Sequence, residues 1–236
     1  MTTLVLHLDG PMQAWGHASQ WDHRDTLDYP TRSGVIGMIA AALGKQWGDS
    51  LDDLSPLRFT IRIDRPGRRI VDYHTAGGGY EVGIARVKGG NRAHAVLSDR
   101  FYMSDAAYTV AITGPDTLLY RVDDALRAPV FGPFLGRRSC PPAGPWHLGL
   151  HDGDPLRTLP LHRDKPRDGD TVAVEFVSDH ETRGPTDRVD TTLTDPHEFG
   201  PRRSYGTVTT HRWTETLPVA MCGGTGIQWF DALTTV

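Results

Sequence analysis

Residues 30–44 read PTRSGVIGMIAAALG, and this stretch predicts the first helix of the fold. Thr31 is a favoured N-cap residue, apolar residues recur at the spacing of one buried helix face, and Gly44 supplies a stop signal. We therefore expect a helix from about residue 32 to residue 43. Gly34, Gly37 and Ala41 lie three or four positions apart, which would let another element approach this helix closely.

The segments on either side of this helix predict an α+β fold. Alternation of apolar and polar residues predicts strands, and apolar residues at helical spacing predict a second helix over 115–126. The expected strands are 2–8, 57–63, 70–74, 99–102 and 107–113, with 131–135 as a last strand. The strand at 57–63 is expected to turn an outer face of Arg and Thr residues to solvent. The order matches the ferredoxin-like (RRM-like) βαββαβ pattern with an elaborated middle.

Two parts of the chain are expected to stand outside that pattern. Residues 75–98 are rich in glycine and alanine and carry Arg86 and Lys88, which predicts a projecting hairpin or thumb. After Pro142 the sequence becomes rich in proline and aspartate, with strands expected at 171–177 and 204–213. We therefore expect a ferredoxin-like domain over 1–141 and a small β appendage over 142–236, whose end from 221 onward is expected to fray.

Composition limits the classes of protein that the chain can belong to. Its 236 residues are 38% hydrophobic, and the longest apolar stretch, 35–43, is too short to span a bilayer. The two cysteines lie far apart, as expected of reduced thiols in the cytoplasm. A net charge of −4 argues against a generic nucleic-acid coat, but the charge is segregated. Residues 58–104 hold nine Lys/Arg against four acids, whereas 179–198 hold two against six.

Four short strings combine a glycine or proline bend with residues that can bind phosphate or stack on a base. They are Gly10–Gly16, Pro30–Gly34, Asp72–Thr75 and Phe134–Pro141. In this order they resemble the CasD family, the subunit of the type I-E CRISPR surveillance complex (Cascade) that holds the 5′ handle of the guide RNA. The resemblance is dense over about residues 4–141. It implies guide RNA, a backbone subunit and a large target-scanning subunit as partners, with no membrane.

The resemblance and the residue chemistry together indicate an RNA-contacting set. Unpaired N–H groups in the first turn of the helix favour an anion, with plain capping by Thr31 as the alternative. Adjacent arginines in a loop can clamp successive phosphates, whereas the alternative is two solvated arginines. Gln13 and Trp15 suit base edges and stacking, although Trp15 could equally lie in the core. The predicted RNA-binding residues are Gln13, Trp15, Arg32, Ser33, Gly34, His74, Arg86, Lys88, Gly136, Arg137, Arg138 and Ser139.

Catalysis is the main alternative function. Relatives in type I-C systems resemble ribonucleases that cut the repeat RNA with Tyr, Lys and His, and Tyr73, His74, Lys88 and His94 are the nearest candidates here. No adjacent Lys-His pair exists in this chain, so we expect no enzyme activity. No phosphate-loop, nucleophile-elbow or HExxH motif occurs, and we expect neither a metal nor a cofactor.

Overall fold

The computed structural model describes residues 2–20, 22–77, 84–85, 91–92, 94–198 and 204–235. The helices within these ranges are α1 (Arg32–Ala42), α2 (Asp116–Arg127) and α3 (Ile227–Thr234). The strands are β1 (Thr2–Asp9), β2 (Met12–Gln13), β3 (His23–Arg24), β4 (Arg58–Arg65), β5 (Arg68–Ala76), β6 (Ile84–Ala85), β7 (Asn91–Arg92), β8 (Val96–Ser104), β9 (Ala107–Thr113), β10 (His147–Asp152), β11 (Thr171–Ser178), β12 (Arg188–Pro196) and β13 (Tyr205–Pro218). The mixed α+β class is confirmed, and no helix in the described ranges is long and apolar enough to cross a membrane.

A seven-stranded antiparallel sheet forms the centre of the protein, in the order β10-β1-β9-β4-β11-β13-β12. The apolar face of its first four strands packs with α1 and α2 in the main hydrophobic core. Leu4, Leu6 and Leu8 of β1 belong to that core because alternate residues of a strand share one face. The predicted helices and the strands at 2–8, 57–63 and 107–113 are therefore confirmed.

The outer face predicted for β4 is wrong. Arg62 has no exposed side-chain surface because the segment that contains Leu156 and Leu159 covers it. Thr60 is 3% exposed and its hydroxyl contacts Ser178 and Glu181. The Arg62 guanidinium pairs with Asp64 at 2.6 Å and donates hydrogen bonds to the carbonyls of Leu156, Leu159 and Pro160. A buried cation is tolerated when a carboxylate and several acceptors surround it in this way.

The last strand expected at 131–135 is also wrong. Backbone N–H groups of Val130 and Phe131 donate to the carbonyls of Ala42 and Ala41 at the end of α1, so this segment caps a helix instead of joining a sheet. The strand beside β1 is β10, which lies later in the chain. Its pairing is interrupted by a register shift between Val5 and Leu6, opposite Gly149 at φ +85°, and this irregularity hides the strand pattern.

The strands predicted at 70–74 and 99–102 are confirmed and extended. They form a long antiparallel pair, β5 with β8, in a second sheet with β2 and β3. Within the predicted thumb, β6 and β7 also pair antiparallel, and the predicted thumb residues Arg86 and Lys88 lie outside the described residues. The two strands predicted after residue 142 are confirmed as β11 and β13, and β11 continues the main sheet beside β4. The division at residue 141 stays a prediction.

The segment expected to fray contains α3, and the fraying itself stays a prediction. Trp229 of α3 is 3% exposed and its indole stacks on His7 with 3.9 Å between ring centroids. The same indole stacks on His162 and donates a hydrogen bond to the carbonyl of Pro160. The aromatic contact with β1 therefore holds α3 against the sheet.

Candidate nucleic-acid interface

A groove with a volume of about 1450 Å³ runs along α1 and is here called the α1 groove. Its lining includes Gly34, Gly37 and Ala41, the small residues of the helix. Four cationic side chains line it, and neither Asp nor Glu does so among the described residues. The cations are Arg24, Lys45, Arg137 and Arg138. An all-positive concave surface of this kind suits a polyanion.

The N-terminus of α1 opens into the groove. Thr31 is the N-cap, and its hydroxyl accepts a hydrogen bond from the backbone N–H of Gly34 at 3.2 Å, as the sequence predicts. Ser33 and Gly34 both line the groove. A Cβ on Gly34 would lie 2.7 Å from Cε3 of Trp15, so only glycine lets the indole pack under this turn. Phosphate binding at this turn remains a prediction.

Gln13 and Trp15 are not available to bases, so the roles predicted for them are wrong in this structure. Both side chains have 0% exposure. The Gln13 amide nitrogen donates to the carbonyls of Leu8 and Ala106, and its oxygen accepts from the Trp15 indole at 3.2 Å. These contacts satisfy the buried amide and make the pair part of the core. Trp21, in the same segment, lies outside the described residues.

Arg32 also departs from its predicted phosphate role. Its guanidinium turns away from the groove and forms ion pairs with Asp179 at 2.9 Å and Asp195 at 2.7 Å. Two further hydrogen bonds go to the carbonyls of Ser55 and Leu57. Part of the acidic stretch 179–198 therefore serves to fix α1 to the C-terminal strands, and this arginine is already occupied.

The loop around Gly136 reaches the groove, and the phosphate contacts predicted for it stay a prediction. Gly136, Arg137 and Arg138 line the groove, and Arg138 and Ser139 are exposed. Gly136 has φ +82°, and a Cβ there would lie 1.7 Å from the carbonyl oxygen of Ala14. The loop is thus pressed directly against the segment that follows β2.

Arg137 is held in place by the protein. Its guanidinium lies 4.5 Å above the Tyr102 ring, and Nη2 donates to the carbonyl of Arg24 at 3.0 Å. Nη1 is buried and has no hydrogen-bond partner in the described structure. Stacking and backbone contacts fix the direction of this side chain, whereas Arg138 extends into solvent beside it.

His74 lies outside this groove. It is on β5 in the second sheet, where its Nδ1 is 3.3 Å from the Asp72 carboxylate. The groove also contains residues that were not predicted from the sequence, namely Arg24, Lys45, Trp47, Phe131 and Tyr205. Trp47 is 72% exposed because the turn after α1 holds it away from the core. The local sequence does not indicate this exposure.

A buried histidine pair lies on the opposite side of the sheet. His7 Nε2 and His162 Nδ1 are 2.8 Å apart, and His162 Nε2 accepts from the backbone N–H of Gly226. His162 therefore carries its proton on Nδ1 and donates to His7. With Asp9, these side chains place potential metal-ligating atoms within 4.8 Å of one another, and Nδ1 of His7 is buried with no hydrogen-bond partner among the described residues. Burial lowers the pKa of His7 to about 3.

The chain is similar to known proteins in both sequence and overall structure. The family described as CRISPR-associated protein (Cas_Cas5) matches residues 3–211. The chain is 36% identical to the CRISPR system Cascade subunit CasD of Escherichia coli (strain K12), over 86% of this chain and 94% of that protein. A chain of a solved CRISPR RNA-guided surveillance complex superposes with a TM-score of 0.86 at 37% identity, covering 99% of this chain and 98% of that one.

A further solved structure, titled as the crystal structure of a Cas protein, superposes with a TM-score of 0.64 at 30% identity. It covers 95% of this chain and 98% of that one. The similarity thus extends past residue 141 through the C-terminal strands. The chain belongs to the Cas5 family of CRISPR-associated proteins.

Proposed function

We propose that this chain is a non-catalytic guide-RNA-binding subunit of a type I-E Cascade surveillance complex and that it holds the 5′ handle of the guide in the α1 groove. Its partners are the guide RNA, a backbone subunit and a large target-scanning subunit, in the cytoplasm. The observation that carries this proposal is the groove, where Arg137 and Arg138 meet the N-terminus of α1 with no acidic residue in the described lining.

The groove residues offer two kinds of contact to a phosphate backbone, one from a side chain and one from the N-terminus of a helix. Arg138 is exposed and lines the groove, so it supplies a bidentate contact for a phosphate. Ser33 and Gly34 supply the first turn of a helix, where backbone N–H groups and the helix dipole favour an anion. These groups can follow a phosphate backbone without reading its sequence.

The fold supports a ferredoxin-like core for this subunit. Strands β10, β1, β9 and β4 are neighbours in that order and all pair antiparallel, with α1 after β1 and α2 after β9. This arrangement is that of a βαββαβ unit in which the β5–β8 hairpin is inserted between the second and third strands. We propose that this unit runs to the end of β10 at residue 152 and that β11, β12 and β13 form the C-terminal β-rich part.

Two observations favour binding over cleavage. The three lysines of the sequence are followed by Gln, Gly and Pro, so no Lys-His pair is present. Tyr73 and His74 are successive residues of β5, and successive side chains of a strand point to opposite faces. They are therefore poorly placed to act together on one phosphodiester.

Incubation of the chain with repeat RNA in EDTA distinguishes RNA binding from RNA cleavage. We expect purified chain to leave its own system's repeat RNA, labelled at the 5′ end, uncut. The chain alone should bind a processed guide weakly, and stable retention of the guide should need the remaining subunits. Specific cutting by the chain alone would establish the endoribonuclease alternative. In that case His74→Ala, compared with His151→Ala on β10 as a control, would identify the general acid or base.

A further inference from the structure

We propose that Trp47 and Phe131 form a stacking surface for unpaired bases at the end of the α1 groove farthest from Arg138. This inference rests on the proposed function and adds base contacts to a groove otherwise assigned to phosphates. The indole of Trp47 is 72% exposed and the ring of Phe131 is 49% exposed, although large aromatic rings normally bury most of their surface.

The turn that carries Trp47 is fixed by its own hydrogen bonds. The backbone N–H of Gln46 donates to the Asp49 carboxylate at 2.7 Å, and the N–H of Asp49 donates to the carbonyl of Gln46 at 3.1 Å. Lys45 Nζ bonds the carbonyl of Ser50 at 2.8 Å. A tied-down turn presents the indole at low entropic cost, which favours its use as a binding surface.

Phe131 is fixed to the same end of α1. Its backbone N–H donates to the carbonyl of Ala41 at 3.2 Å, and that of Val130 donates to the carbonyl of Ala42 at 3.0 Å. The loop after α2 is thereby attached to the last turn of α1, immediately before the Trp47 turn. Both rings line the α1 groove, which therefore has exposed aromatic surface at one end and arginines at the other.

The charge of the groove indicates which class of molecule binds against the two rings. The described lining holds Arg24, Lys45, Arg137 and Arg138 and no carboxylate, and of these Lys45 is paired with the Asp53 carboxylate at 2.8 Å. Exposed aromatic rings beside a positively charged groove are the combination that single-stranded nucleic acids require, because bases stack while phosphates are neutralised. We therefore assign the occupant as single-stranded RNA.

The test measures binding of a fluorescent single-stranded RNA, with the sequence of the repeat-derived 5′ segment of the guide, to the full-length chain over a series of salt concentrations. We expect Trp47→Ala to weaken binding about 10-fold at every salt concentration, because a stack carries no net charge, and Phe131→Ala to act in the same direction. Arg138→Ala should instead reduce the slope of log affinity against log salt by about 0.7. The control Ile227→Ala removes a side chain that is 77% exposed on α3, outside the groove, and should have no effect.

Abasic RNA distinguishes stacking from an indirect effect. Removing the base that stacks on Trp47 should weaken binding to the wild-type chain and leave the Trp47→Ala variant unchanged. A Trp47→Ala variant that binds RNA normally but assembles poorly with the other Cascade subunits would make this surface a protein interface and overturn the inference, leaving the proposed function intact. A wild-type chain that retains no guide RNA, alone or in the assembled complex, would contradict the proposed function itself.

Discussion

Gly136→Ala is expected to destabilise the protein by roughly 3 kcal/mol or more and to abolish RNA retention by the α1 groove. An added Cβ would lie 1.7 Å from the carbonyl oxygen of Ala14, and the residue is held at φ +82°. Neither atom can move freely, since the backbone N–H of Ala14 donates to the carbonyl of Leu135 at 3.0 Å. The loop must therefore detach, and Arg137 and Arg138 would leave the groove with it.

Gly132→Ala is the matched control for this change. Gly132 lies in the same loop and lines the same groove, but a Cβ there would have no atom within 4 Å and its φ is not positive. We expect this variant to stay within about 0.5 kcal/mol of wild type in urea unfolding. Equal stability of the two variants would show that the close approach to Ala14 does not fix the loop.

The second large effect is a loss of stability in mild acid. Burial holds the pKa of His7 at about 3, whereas an exposed histidine in the unfolded chain takes up its proton near pH 6.5. The stabilisation is therefore complete above pH 6.5 and is lost as the pH falls toward 3, because only the unfolded chain binds the proton there. Each pH unit in this window should cost about 1.4 kcal/mol from His7. Burial also lowers the pKa of His162, which acts in the same direction.

Urea unfolding between pH 6.5 and pH 4.5 measures this slope. We expect His7→Gln to reduce the change of the unfolding free energy with pH by the amount that corresponds to about one bound proton. His94→Gln, at an exposed position, should leave this slope unchanged. A wild-type free energy of unfolding that stays flat over this range would contradict the buried, neutral state of the histidine pair.

The sequence predicted those elements whose signals are local. The N-cap of α1, the two long helices and the alternating strands follow from residues a few positions apart. A loop at Gly136 was also predicted, because two adjacent arginines cannot share one face of a strand, although the strand expected before the loop does not form. The strand β10 was missed since its glycine and register shift interrupt the period of two.

The predictions that failed depend on residues distant in the chain. Arg32 turns inward because Asp179 and Asp195, about 150 positions later, come to lie beside it. Gln13 and Trp15 are buried because the carbonyl of Ala106 and the glycine of the α1 turn close over them. The sequence shows that these side chains can bind RNA, but only the tertiary structure determines which of them remain unoccupied.

The position of the guide RNA in the assembled complex tests the central claim most directly. Guide RNA carrying 4-thiouridine in its repeat-derived 5′ segment would be crosslinked by light, and the attached peptides of this chain identified by mass spectrometry. We predict crosslinks to peptides that contain residues 31–47 and 131–138, which line the α1 groove. Crosslinks confined to α2, to α3 or to other subunits would contradict the assignment of the groove as the binding site for the guide.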